Sequence, residues 1–282
     1  MPEIHHTIIG LPSSGKTTFL AALWHLLTAG ELNSQLEIET LKGGDSSYLD
    51  RIVETWRRCR RVSRTSLAEE NTVLIYLRQP NRSGSFALSV NDLSGEAFRQ
   101  SFATRTCSQG FVDGLNGSGG ILLFVNANSP HQGVSILDAG HELVGDTTGP
   151  TEVTEWTHDD VSEQAKLVDL LRCMGQAPFS GKLRKIAVII SAWDVVDAAI
   201  VTPEIWLKEE MPFLWQFLIA NPGSFESSVY GVSAQGGDIG EDDDNSDVRD
   251  LLLQKIPSER IIVQKGSTTS SDLSQPILWL ME

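Results

Sequence analysis

Residues 10–18 read GLPSSGKTT, set between the apolar stretch HTIIG and the helical pattern FLAALWHLL. Gly10, Gly15, Lys16 and Thr17 satisfy the spacing G-x-x-x-x-G-K-[ST], and a strand before it with a helix after it is the context that gives the spacing its chemistry. Such a loop turns successive backbone N–H groups inward at a helix N-terminus, where the helix dipole favours an anion. Ser13, Ser14, Gly15 and Thr18 thereby join the cradle, Lys16 supplies a point charge for β- and γ-phosphates, and the Thr17 hydroxyl is a Mg²⁺ ligand. A polyphosphate is the implied ligand.

Further along, FALSVNDLSGE ends an apolar run at Asp92 and sets Gly95 three residues later. A carboxylate at a strand end beside a phosphate loop can hold the metal through a water, and a glycine N–H can approach a γ-phosphate. Alone, D-x-x-G marks an ordinary turn; two strands after a phosphate loop it becomes a second element of the same site. Two later strand ends carry polar groups suited to reading a base. IAVIISAWD presents Asp194, and VYGVSAQGGD presents Ser233, Ala234 and Gln235. A carboxylate facing a purine rejects adenine, which lacks the paired donors of guanine and leaves the acceptor unsatisfied.

With these residues in place the chain resembles the Ras-like GTPases, whose base loop reads [NT]-K-x-D and whose last motif reads S-A-K. The resemblance implies that Asp194 accepts hydrogen bonds from guanine N1 and N2, and that the Ala234 N–H meets guanine O6. It also implies a threonine from the first switch segment on Mg²⁺ and the γ-phosphate; Thr65 is the candidate, with Thr72 inside an expected strand as runner-up. The chain departs from the pattern at Ser191 and Ala192, where an aliphatic wall over the base is lost, and at Gln235, which stands for the final lysine. Trp193 has two readings, a wall of the base pocket or a core residue. Glu96 stands where a glutamine orients the attacking water, and its charge would repel the γ-phosphate and slow hydrolysis. Arg64 is placed to act as an arginine finger in cis, while Arg57, Arg58, Arg60, Arg61 and Arg64 together read equally as a solvated face or a dock for an acidic partner.

More narrowly, DLSGEAF, AWD, SAQGGD and the terminal DLSQPILWL, together with the tryptophan and the Arg-Thr pair before the second strand, resemble the bacterial double-GTPase family over roughly Ile8 to Leu280. That resemblance implies a paired GTPase partner, and membership of bacterial conflict or antiviral systems.

The elements that position these residues follow from periodicity. Apolar or β-branched runs at 6–10, 72–77, 86–92, 120–126, 186–191 and 228–234 alternate with helical patterns. Several are continuously apolar, as expected of strands covered on both faces. The order predicts an α/β fold, a doubly wound and mostly parallel sheet with helices on both faces, of P-loop NTPase and small-GTPase type. Helices are expected at 17–27, 46–60 and within 158–175, and over TPEIWLKEEMPFLWQFLIA with Thr202 as N-cap and Pro203 at the first position. RQPNRSGS predicts a hairpin between the second and third runs, RIIVQ a short extra strand, and the C-terminus a closing helix. The reading is one domain over 1–282, carrying a surface insertion at 127–157 and an acidic loop, GEDDDNSD, at 240–247.

Composition bounds the partners. A net charge of −15 disfavours unaided attraction to nucleic acid or anionic membrane. Cys59, Cys107 and Cys173 lack metal or redox spacing, and the N-terminus lacks the pattern of a secretory leader, so the expected compartment is the cytoplasm. Three functions compete: a slowly hydrolysing GTP switch, a non-hydrolysing GTP- or GDP-bound scaffold, and a P-loop ATPase or kinase. The third needs an arginine-bearing lid, and residues 127–157 contain no Arg or Lys.

Overall fold

The computed structural model describes residues 5–42, 46–62, 72–80, 85–91, 101–128, 157–180, 184–239 and 247–282. β1 (His5–Gly10) runs through the phosphate loop into α1 (Lys16–Ala29), followed by β2 (Glu37–Lys42) and α2 (Ser46–Arg57). β3 (Thr72–Arg78) and β4 (Ser85–Asn91) are an antiparallel pair, and α3 (Gln109–Gly117) precedes β5 (Ser118–Asn126). Then come α4 (Glu163–Met174), β6 (Arg184–Ser191), α5 (Pro203–Glu210), α6 (Pro212–Ala220) and β7 (Phe225–Ser233). The chain ends with α7 (Asp247–Leu253), the pair β8 (Ile262–Lys265) and β9 (Thr268–Ser270), and α8 (Gln275–Met281).

The strands form one sheet in the order β2-β3-β4-β1-β5-β6-β7-β8-β9. β4, β1, β5, β6 and β7 are parallel neighbours, whereas β2–β3–β4 and β7–β8–β9 pair antiparallel at the two edges. Strand periodicity sorts the central residues into two layers. Leu122, Phe124, Ala187 and Ile189 pack under α1, α2 and α8, while Leu123, Val125, Val188 and Ile190 pack under α3, α4, α5 and α6. Both faces are covered, which is why these strands read as unbroken apolar runs.

The register sets the site. Gly10 lies opposite Phe124, Asn126 opposite Ser191, and Ser191 opposite Val232. The carboxyl ends of β1, β5, β6 and β7 therefore open on one edge, where an open α/β sheet binds ligands. Thr202 caps α5 through its hydroxyl, with Pro203 in the first turn. The single helix expected after Thr202 is two, because Pro212 lacks the N–H to continue the first and starts the second. The insertion and the acidic run lie outside the described residues at 129–156 and 240–246. All three cysteines are free, with Cys59 buried and Cys107 exposed. Among the described residues no helix is long and apolar enough to cross a membrane.

His6, the second residue of β1, is buried at 1% exposure with its ring edge-on to Phe86 at 5.4 Å. Burial, assisted by the charge of His5, lowers its pKa to about 4; the nearby Gly120 backbone opposes this only weakly, and neither ring nitrogen has a well-formed hydrogen bond. The unfolded chain then binds the proton that the folded chain refuses, so stability falls as pH drops from 6.5 through 4. The loss is about 3 kcal/mol when complete. Urea unfolding at pH 7 and pH 4 measures it: His6→Phe is expected to lose about 3 kcal/mol less than the parent over that interval. Equal losses in the two proteins would refute the assignment.

Candidate nucleotide-binding site

The phosphate loop is backed by the ends of two strands. Asn126, at the end of β5, donates from Nδ2 to the Ser13 carbonyl at 2.9 Å. Ser191, at the end of β6, donates to Val125 O at 3.1 Å and lies directly behind Gly15. A Cβ on Gly15 would come within 2.7 Å of the Ser191 Cβ, and Gly15 has φ 86°. Only glycine meets both conditions without strain. Ser13 also takes a left-handed conformation, φ 61°, a cost that a folded surround must hold in place.

Lys16 Nζ donates to Gly10 O and Leu11 O, each at 2.8 Å, and to Ser14 Oγ at 3.1 Å. The ammonium thus spans the mouth of its own loop. Behind it, α1 starts at Gly15 with no side-chain cap and no acidic residue in the first turn. An uncapped 14-residue helix directs the unsatisfied N–H groups of its first turn and the positive end of its dipole at the loop. Thr17 and Thr18 stand in that turn. This arrangement fits a polyphosphate.

At the other end of the edge, Asp194 is the middle residue of a short 3-10 turn, Trp193–Val195, after Ala192 with φ 53°. The Ser233 hydroxyl, ending β7, donates to the Asp194 carboxylate and in turn accepts the Gly236 N–H at 2.9 Å. One serine therefore fixes the carboxylate and the turn that follows β7. Trp193 is a core residue, 1% exposed, donating from Nε1 to Gln264 Oε1 at 2.7 Å and edge-on to Trp206. Its indole fills the space left by Gly231, where a Cβ would come within 2.3 Å of the ring, as a core residue does. Ala234 is buried, and Gln235 turns to α2, donating to Trp56 O at 3.4 Å.

Arg64, Thr65, Asp92, Gly95 and Glu96 lie outside the described residues, and Thr72 begins β3. Of the residues assigned to Mg²⁺, only Thr17 is described; no cluster of three His, Cys, Asp or Glu suited to a metal occurs among the described residues. Arg57 and Arg58 pair with Glu54 on α2, and Arg58 O accepts from Arg249 on α7 at 3.3 Å. A cavity of about 230 Å³ borders Gly10 and Leu11 and is walled by Phe102, Arg105, Leu167 and Cys173. Neither Asp194 nor Ser233 is among its lining residues. Sequence reasoning missed Asn126 as a support of the loop; its only signal was a polar residue closing an apolar strand.

The model of the Double-GTPase 1 family matches residues 7–280. No curated protein matches the sequence. Among solved structures, the chain is similar to Roco2 RocCORdC of Methanosarcina barkeri bound to GDP, at 12% identity and TM-score 0.34, covering 92% of this chain and 49% of that one. It is also similar to a bacterial selenocysteine-specific elongation factor, EF-Sec, at 16% identity and TM-score 0.39, covering 91% of this chain and 30% of that one. For Sup35 complexed with GDP the values are 15% and 0.37, covering 87% and 40%. The chain thus spans half or less of each of those chains. Matched by the family model from the first strand to the last helix, and built as an α/β P-loop GTPase fold, the chain belongs to the Double-GTPase 1 family.

Proposed function

We propose that the protein is a guanine-nucleotide switch that hydrolyses GTP slowly when alone. The observation that carries this is the shared edge: an uncapped α1 behind Lys16 at one end and an Asp194 carboxylate held by Ser233 at the other. In this reading the N–H groups of residues 13–18 and Lys16 bind the phosphates, Asp194 accepts from guanine N1 and N2, and Ala234 donates to O6. Thr17, with Thr65 and Asp92, would hold Mg²⁺, which when bound screens the charge of the β- and γ-phosphates. Bound GTP orders Thr65 and the Asp92–Glu96 stretch through Gly95, and loss of the γ-phosphate releases them.

Glu96 makes the switch slow, since a carboxylate repels the γ-phosphate that it faces, and Arg64 supplies a cation that an activating partner can press into place. By resemblance, that partner is a second GTPase of a bacterial conflict or antiviral system. A non-hydrolysing scaffold is the competing reading, motivated by Glu96 and by Ser191-Ala192 before Trp193. Single-turnover hydrolysis separates them. The switch reading expects a rate on the order of 10⁻⁴ s⁻¹, rising about tenfold in Glu96→Gln as the repulsion is removed. No turnover in either protein would favour the scaffold.

A further inference from the structure

The turn after β7 is gripped from below by α2, an element with no part in the phosphate loop. Trp56 is completely buried and donates from Nε1 to Ala234 O at 2.9 Å. Gln235 Nε2 donates back to Trp56 O at 3.4 Å. The next residue, Gly236, has φ 90° and sits so close to Arg260 O that a Cβ would approach within 2.4 Å. Three consecutive residues are therefore held by one support.

That support is itself built rigidly. The Arg260 guanidinium lies 4.8 Å from the centre of the Trp56 ring, donates to Arg57 O at 3.4 Å and donates to Cys59 Sγ. Burial pushes the Cys59 thiol up, so it stays a neutral acceptor. On the other side the His25 ring packs on Trp56 at 5.1 Å, and His25 is joined at 3.1 Å to Glu31, whose carboxylate accepts the Ser258 N–H at 3.0 Å. The indole is clamped between α1 and the turn that carries Arg260.

We infer that Trp56 is a positioning residue for guanine, setting the O6 half of base recognition while Asp194 sets the N1 and N2 half. The Ala234 N–H lies between two fixed points. On one side the Ser233 hydroxyl is tied to Asp194 and the Gly236 N–H. On the other, the Ala234 carbonyl is tied to Trp56. Because the peptide is planar and trans, anchoring that carbonyl also aims the Gln235 N–H in the opposite direction, away from the indole. Donors held in place before the ligand arrives discriminate best, since none of the binding free energy goes into ordering them. This inference rests on the guanine reading proposed above.

Three nucleotides are compared: GDP, IDP, which lacks the 2-amino group, and 2-aminopurine riboside diphosphate, which lacks O6 and with it the N1 proton, so that the change each shows between parent and variant is what isolates the O6 contact. Trp56→Phe keeps an aromatic ring in the clamp and removes the donor. It is expected to weaken GDP and IDP by the same factor, about tenfold, and to leave the 2-aminopurine nucleotide within about twofold. The preference for GDP over the 2-aminopurine nucleotide then falls about tenfold, while that for GDP over IDP stays at the parent value. Site-specific replacement of Trp56 by 3-benzothienylalanine, which exchanges the N–H for sulfur at constant shape, must give the same pattern and covers the case in which the phenylalanine variant does not fold. Equal weakening of all three nucleotides would make Trp56 merely structural, and unchanged ratios would overturn the inference while leaving the guanine reading intact. A parent protein without preference for GDP over the 2-aminopurine nucleotide would instead bring down O6 recognition itself, and the inference with it.

Discussion

Lys16→Ala is expected to abolish measurable nucleotide binding, weakening GTP and GDP by about 10²–10³-fold, as the loss of two charge-assisted contacts to phosphate implies. The ammonium sits at 2.8 Å from both Gly10 O and Leu11 O, at the mouth of a loop backed by an uncapped helix. A phosphate drawn there by the helix dipole meets Lys16 first, and no side-chain cap competes for the N–H groups behind it. The fold should tolerate the change, because every contact just named is made within the loop. Titration with a fluorescent guanine nucleotide, alongside a thermal melt, checks both points. Wild-type affinity in a folded Lys16→Ala protein would remove the phosphate loop from the account.

The second large effect concerns the base. Asp194→Asn preserves the side-chain shape, and its amide oxygen can still accept from the Ser233 hydroxyl that holds the turn. What changes is the face offered to the purine. Guanine presents two donors, N1 and N2, which suit a carboxylate; xanthine replaces the 2-amino group with a carbonyl, which suits an amide N–H. GTP affinity is expected to fall by about 10²-fold or more, with a gain for xanthosine triphosphate that inverts the preference. Competition among GTP, XTP and ATP measures this. Unchanged GTP-to-XTP and GTP-to-ATP ratios would take Asp194 out of base reading.

Most of the fold was legible because its central strands are buried on both faces, and so appear as unbroken apolar runs from His6 to Val232. The edges were harder to read. β2, Glu-Ile-Glu-Thr-Leu-Lys, pairs on one side only, carries charge, and shifts register between Ile38 and Thr40, so it lacks any sustained pattern. α3 contains three glycines in nine residues and owes its place to Phe111, Val112 and Leu115 packing in the core rather than to helix propensity. The break between α5 and α6 was marked by Pro212, but the apolar periodicity on both sides masked it.

The candidate site divides in the same way. The phosphate loop is contiguous and its chemistry is local, so its residues could be named from spacing alone. Its supports are distant in sequence. Asn126 reaches Ser13 across 113 positions, and Trp56 reaches Ala234 across 178. No local pattern encodes either contact; each exists because the sheet order brings those strand ends and α2 together. Trp193 shows the converse. Its position beside Asp194 left two readings open, a base-pocket wall and a core residue; Gly231 on the neighbouring strand opens a core slot that the indole fills, and burial of the ring favours the second.

The measurement that bears most directly on the central claim is titration of the purified protein, with Mg²⁺, against labelled GTP and ATP. A site with Asp194 facing the base should bind GTP at least about 100-fold more tightly than ATP, since adenine leaves the carboxylate without its paired donors. Equal affinities, or a preference for ATP, would mean that Asp194, Ser233 and Ala234 do not read the base and would contradict the account of this site as a guanine-nucleotide switch.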